Sequence, residues 1–349
     1  MPPPLPCIRG WEHFRSIRFD LRLWGPPVRW VLARHGLAND GPVELASSVH
    51  VVAVAGDVVV KLYQPVSDDG MGSFEIETAA LRLVGGAGLP VPRLLAAGQL
   101  GGAGWPWPYC VMSALPGRPL AEVAGDRAQV AAALGRFLRA MHELRPGEPG
   151  VFAAGGFLAR RLDACVAEHR IAGRVPARWI DEMPGYLDRA RPAVLDGAGG
   201  TVLTHGDLHA GNVYAHPGPV LAGVLDFNDV RLTDAYYDLV VVHLRALDAD
   251  RRLLKTLLDA YGWGPVAPGW RERMMALTIG HDFDELGDAL AARPDLAQAP
   301  SLDALAERLW GLSRLPRSIL VNINHGSIHQ MRSELTNNRG HNSDLVRIP

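Results

Sequence analysis

The 349 residues carry 35 basic and 37 acidic side chains, a net charge of −2, with 48% apolar and 21% charged residues. This length suits two domains or one enzyme of two lobes, the composition is that of a globular protein, and the charge balance leaves no footprint for non-specific nucleic-acid binding. No apolar run approaches the roughly 18 residues of a membrane span, since 51–60 is cut by Gly56-Asp57 and 239–247 by His243 and Arg245. Cys7, Cys110 and Cys165 are an odd total without C-x-x-C spacing, which argues against a disulfide framework or a four-cysteine zinc site. The opening MPPPLPCIRG has no basic stretch followed by an apolar one, so no secretion signal is read. A soluble cytoplasmic protein with no obligatory protein partner is expected.

Residues 26–37 have helical apolar spacing. The Val-rich stretch 49–63 is broken at Gly56-Asp57 and predicts two strands joined by a tight turn. Residues 74–84 are dense in helix formers and stop at Gly85-Gly86. Two Pro-punctuated strands follow, LPVPRLLAAGQL and WPWPYCVMSAL, the second closing on Pro116-Gly117. Beyond Gly117 the pattern turns helical, over 126–144, 157–171, 176–190, 251–261, 270–292 and 301–313, with a β-rich island at 201–227. Strands first and helices after predict an α+β chain of two lobes with a cleft between them. The expected division is an N-terminal lobe at 1–112, a hinge at 113–118 and a C-terminal lobe at 119–321. Five of the eight Asn residues fall in 322–342, and the polar tail 322–349 reads as poorly ordered or peripheral.

The chemistry concentrates in T-H-G-D-L-H-A-G-N at 204–212 and G-V-L-D-F at 223–227. Apolar residues before each predict short strands that leave Asp207, Asn212 and Asp226 on adjacent loops. Phosphoryl transfer needs this set: a carboxylate near the attacking hydroxyl, with an amide and a second carboxylate to hold Mg²⁺ on the phosphates. The chain has only two lysines, Lys61 and Lys255. Lys61, in V-V-V-K-L-Y, would present an ammonium at a sheet surface where it suits the phosphates of ATP.

These elements resemble the catalytic and metal loops of the aminoglycoside phosphotransferase family, relatives of the protein kinases. The resemblance implies a bilobal kinase-like fold, with a small N-terminal antiparallel sheet carrying one helix and a larger, mainly helical C-terminal lobe. It implies Asp207 as catalytic residue, Asn212 and Asp226 as metal residues, and ATP and Mg²⁺ as cofactors. Glu77 then matches the helix glutamate that orients Lys61, in preference to Glu75. Ser47 and Ser48 would cover the phosphates, Met112 would line the adenine pocket, and the backbone of Ser113 and Leu115 would bond the base. His205, His209 and Asp238 are expected to support the loop, with Asp238 tying it down from a helix start.

Within the family the likeness is strongest to hygromycin B 7''-phosphotransferases, through G-W-P-W-P-Y at 104–109, V-M-S at 111–113, L-D-F-N-D-V at 225–230, H-D-F at 281–283 and L-W-G at 309–311. It runs over about 28–314 and implies phosphorylation of an aminoglycoside, hygromycin B first, at its 7''-hydroxyl, conferring resistance. A polycationic acceptor calls for carboxylates lining its pocket, and the expected wall is Asp282, Asp284 and Glu285, with Asp234. The competing readings are the same chemistry on a macrolide, another aminoglycoside or a choline- or homoserine-like metabolite, and a non-catalytic nucleotide-binding module.

Overall fold

The computed structural model describes residues 3–37, 41–46, 48–65, 69–101, 107–147, 150–196, 200–264 and 268–312. Ser47, Trp105 and the polar tail therefore lie outside the described residues. Strands β1 (Glu44–Ala46), β2 (Val51–Ala55), β3 (Val58–Leu62), β4 (Leu94–Leu100) and β5 (Trp107–Ser113) form an antiparallel sheet in the order β1-β2-β3-β5-β4. Gly56, at φ 64°, makes the β2–β3 turn that its residue type predicts.

Alternation along β3 sends Val58, Val60 and Leu62 to one face and Val59 and Lys61 to the other. The first face is covered by α1 (Trp11–Ile17) and α2 (Leu21–Arg34), whose Phe14, Trp24, Val28 and Val31 pack with Trp107 and Val111. Helix α2 begins well before Pro26 because Asp20 caps it through the Arg22 N–H. The second face carries α3 (Asp69–Gly86). Its early Gly70 and Gly72 are poor helix formers, which hides its first turn from sequence.

The C-terminal part is mainly helical: α4 (Ala128–Glu143), α5 (Phe157–Ala172), α6 (Ala177–Leu195), α7 (Tyr236–Val241), α8 (Arg251–Tyr261), α9 (Trp270–Gly280), α10 (Glu285–Ala292) and α11 (Leu302–Trp310). Two small sheets hold its loops. Strands β6 (Arg118–Pro119), β8 (Val213–His216) and β9 (Val220–Val224) form one, and β7 (Thr201–Thr204) with β10 (Arg231–Asp234) the other. The single helix expected over 270–292 is two, broken at 281–284, where Asp284 sits at φ 49° and its carboxylate caps α10 through the Gly287 N–H. Among the described residues no helix is long and apolar enough to cross a membrane.

Helices α4 and α8 meet where Gly135 lets the backbones approach. A Cβ there would fall 2.3 Å from the Leu257 carbonyl oxygen and 3.0 Å from the Tyr261 nitrogen. Alanine would gain about 1 kcal/mol of helix propensity, but overpacking against backbone costs about 1–3 kcal/mol. Gly135→Ala should therefore lower the unfolding free energy by a net of about 1 kcal/mol, read as a lower urea midpoint; a raised midpoint would show that the helices move apart freely.

Candidate active site

The registers of the two small sheets bring the functional loops together. Pairing of Val213 with Val224 sets Asn212 beside Leu225, whose N–H donates to the Asn212 carbonyl at 3.0 Å. Pairing of Thr204 with Arg231 anchors the other ends of both loops. Asp207 and Asn212 thus lie on the β7–β8 loop, and Asp226 on the β9–β10 loop.

The β7–β8 loop is fastened from below. Buried Asp238, in α7, accepts from the His205 N–H at 2.9 Å and the Gly206 N–H at 2.8 Å, and contacts His142 Nε2 at 3.0 Å. Burial would push this carboxyl up, but those hydrogen bonds and nearby imidazoles hold it below its ordinary value. Gly206 turns at φ 86°, and a Cβ there would lie 2.6 Å from the Asp229 carbonyl oxygen, so glycine is required. His205 is buried; Nδ1 accepts from the Asp207 N–H at 3.3 Å, which assigns the ring proton to Nε2, 3.1 Å from the Leu225 carbonyl. Its pKa is lowered by burial, so a neutral imidazole bridges both loops. His209 accepts from the Gly211 N–H at 2.9 Å and lies 3.6 Å from the Asp207 carboxylate.

Asn212 donates its amide to the Asp207 carbonyl at 2.8 Å and to Asp207 Oδ2 at 3.3 Å. That contact turns the amide oxygen, the half able to take a cation, away from Asp207. Asp226 adopts φ 68°, a region that non-glycine residues rarely occupy. Its Oδ1 is 2.7 Å from Lys61 Nζ, which also reaches Glu77 Oε2 at 2.7 Å and Asn228 Oδ1 at 3.0 Å. Burial alone would strip the Lys61 proton, but the two carboxylates outweigh it and hold the ammonium well above its ordinary value. Glu77 is buried and Glu75 exposed, which decides between the two candidates. One carboxylate and one amide form a donor set that magnesium completes with phosphate oxygens. Among the described residues no three His, Cys, Asp or Glu side chains gather around a metal position.

At the end of β5, the Ser113 N–H donates to the Arg93 carbonyl at 3.0 Å, and Ser113 Oγ accepts from the Arg93 N–H at 3.0 Å. Among the described residues the Leu115 N–H has no acceptor. Met112 is buried on β5. Ser48 Oγ accepts from the His50 N–H at 3.2 Å.

The four carboxylates expected to line the acceptor pocket separate into two pairs. Asp234 is buried; it accepts from the Tyr236 N–H at 2.8 Å and pairs with Arg273 at 3.6 Å. Asp284 holds His169 at 3.2 Å and Arg174 at 2.9 Å. Asp282 and Glu285, by contrast, lie close enough to Asp207 for their charges to be felt there. Asp282 is held by Arg231 at 2.7 Å and by the Tyr237 hydroxyl. Glu285 is held by Arg245 at 3.2 Å, and Arg245 also reaches Asp288 at 2.5 Å. These arginine partners escape sequence reasoning, whereas Asn228 and Asp229, read from sequence as capping the next turn, are joined by a 2.6 Å bond and Asn228 reaches Lys61. The arginines' only trace is a charge, Arg245, interrupting an apolar run.

Residues 44–277 match the family model described as APH, phosphotransferase enzyme family. The chain belongs to that family. Solved structures share its fold. Aminoglycoside phosphotransferase APH(3'')-Id from Streptomyces rimosus is 22% identical over 75% of this chain and 99% of its own, with a TM-score of 0.54. Aminoglycoside 2'-phosphotransferase-IIIa, solved with GDP, is 17% identical over 80% and 95%, at 0.59. Macrolide 2'-phosphotransferase MphH from Brachybacterium faecium is 22% identical over 81% and 96%, at 0.51.

Burial, reinforced by neighbouring carboxylates, raises Asp207 to about 6, Asp229 to about 7 and Glu285 to about 8. Folded Glu285 therefore keeps a proton that the unfolded chain releases above its ordinary value near 4.5. The stability linked to that proton is fully present below pH 4.5 and is lost as pH rises through about 8. Glu285→Gln should flatten part of this decline, by about 1 kcal/mol between about pH 5 and pH 8 in urea titrations. An unchanged slope would show that Arg245 keeps Glu285 ionised throughout.

Proposed function

We propose that the protein is an ATP-dependent O-phosphotransferase acting on a cationic aminoglycoside, with the 7''-hydroxyl of hygromycin B as acceptor. The observation that carries the reading is the Lys61 ammonium, held between Glu77 of the N-terminal sheet's helix and Asp226 beside Asn212 and Asp207. Family membership supplies the reaction class. The carboxylates of Asp226 and Asp282 lie near enough to Asp207 for their charges to be felt there, and an ammonium group on the acceptor would be attracted to them. The choice of hygromycin B rests on the sequence resemblance. Related structures have been solved with ADP and streptomycin and with GDP and kanamycin, which supports nucleotide and aminoglycoside in one cleft.

In this mechanism Lys61 neutralises phosphate charge while Glu77 fixes its position. Ser47 and Ser48 cover the phosphates. Met112 packs beside the adenine, and the Leu115 N–H with the Ser113 backbone meets its edge. Asp226 and the Asn212 amide oxygen would hold a magnesium ion, which would supply further charge neutralisation at the phosphates. Asp207 orients the acceptor hydroxyl and takes its proton late, as the acceptor oxygen bonds to the γ-phosphorus and the bond to the β,γ-bridging oxygen breaks. His205 and Asp238 hold the loop in place, and His209 stands beside the transferring group. Asp282, partly exposed, faces the acceptor, whereas buried Glu285 acts from behind through Arg245, and Asp234 and Asp284 shape the surrounding elements.

Asp207→Ala should lower turnover about 10²–10⁴-fold while nucleotide still binds. The assay is MgATP with hygromycin B, streptomycin, kanamycin and a macrolide, products being read by mass spectrometry. Phosphorylation of the macrolide alone would replace the acceptor assignment. Nucleotide binding by the native protein without transfer to any acceptor would leave a binding module. Undiminished transfer by the Asp207 variant would remove the catalytic assignment.

A further inference from the structure

Beneath the Lys61 ammonium lies a buried polar cluster that the mechanism does not use. Tyr63, one residue beyond β3, continues the alternation that puts Val59 and Lys61 on the inner face, and it is fully buried. Its hydroxyl is 2.5 Å from Glu77 Oε2, the same oxygen that holds Lys61, and 3.2 Å from Cys110 Sγ. The Lys61 ammonium lies 5.4 Å from the Tyr63 ring centroid. The ring packs against His50 at 4.9 Å and Phe74 at 5.4 Å. One side chain therefore touches both members of the ion pair.

The chemistry fixes the direction of each bond. Glu77, paired with an ammonium, is a carboxylate and can only accept. The single phenolic hydrogen goes to Glu77, so the Cys110 thiol must donate to the phenol oxygen. Burial keeps both groups protonated, pushing the thiol up to about 12 and the phenol well above its usual value. The chain runs from Cys110 S–H to Tyr63 O–H to Glu77 Oε2, which receives Lys61 from the other side.

Lys61 is also pulled by Asp226 and Asn228. Were Glu77 free to rotate, the ammonium would follow those partners. We propose that Tyr63 is a positioning residue that locks Glu77 Oε2 and thereby holds Lys61 at the sheet, where it meets nucleotide phosphate. The nucleotide part rests on the function proposed above; the positioning of Lys61 does not.

Tyr63→Phe keeps the ring, its packing on His50 and its contact with Lys61, and deletes both bonds of the hydroxyl, the one to Glu77 and the one from Cys110. Because the chain has two lysines, ¹⁵N labelling of their ammonium groups reads Lys61 with Lys255 as an internal reference. In Tyr63→Phe the Lys61 signal should move and the Lys255 signal stay. MgADP affinity should weaken about three- to tenfold, the range for loss of an ordinary hydrogen bond, because the effect reaches phosphate only through Lys61, with the acceptor KM unchanged. Cys110→Ala, which leaves the phenol on Glu77, should keep both signals in place and MgADP affinity within about twofold of the parent. An unmoved Lys61 signal in Tyr63→Phe, or equal losses in the two variants, would overturn the proposal. A moved Lys61 signal in a protein that takes up no MgADP would uphold the positioning role and overturn the phosphotransferase reading instead.

Discussion

A buried ammonium joins the N-terminal sheet to the loops of the C-terminal part. Lys61 Nζ has Glu77 on one side and Asp226 and Asn228 on the other. Desolvating such charges is expensive, and well-packed apolar residues often serve stability as well or better. Removing one partner of a buried pair is another matter, since an uncompensated charge costs about 3–5 kcal/mol. Stability alone therefore does not explain the network.

The same accounting applies to the strained backbone beside it. Asp226 holds a left-handed conformation, which for a non-glycine residue costs on the order of 1 kcal/mol. A charge-assisted bond to Lys61, worth about 1.5–3 kcal/mol, offsets that cost. The β7–β8 loop is held differently, by a buried carboxylate. Asp238 accepts two consecutive backbone N–H groups and contacts His142, satisfying donors that a tight turn otherwise leaves unpaired. Charge fixes the loop that carries Asp226, and hydrogen bonds fix the loop that carries Asp207.

Much of this is legible in the sequence because the decisive contacts are local. Asp207 and Asn212 are five residues apart on one loop, and two short strands deliver Asp226 beside them. The β2–β3 hairpin and the helix bearing Glu77 follow from turn residues and helix formers. What stays hidden is non-local or runs against residue type. Helix α1 and strand β1 are too short to carry a period. The break at 281–284 depends on Asp284 entering a left-handed conformation, which helix-forming neighbours do not announce. Arg231, Arg245 and Arg273 meet their acidic partners from about forty to eighty positions away, a distance at which charge patterning is silent.

Those arginines change what an acidic cluster means. In the sequence, Asp282, Asp284 and Glu285 read as a uniform negative wall. In the structure Asp284 is absorbed by Arg174, His169 and the cap of α10. Asp282 and Glu285 each lie against an arginine, yet the carboxyls of Asp207, Asp229 and Glu285 remain raised. Burial is the largest cause at all three, and carboxylate repulsion adds to it against the arginines. Asp282, Asp284 and Glu285 are thus each answered by a basic partner, and α10 presents no continuous negative wall.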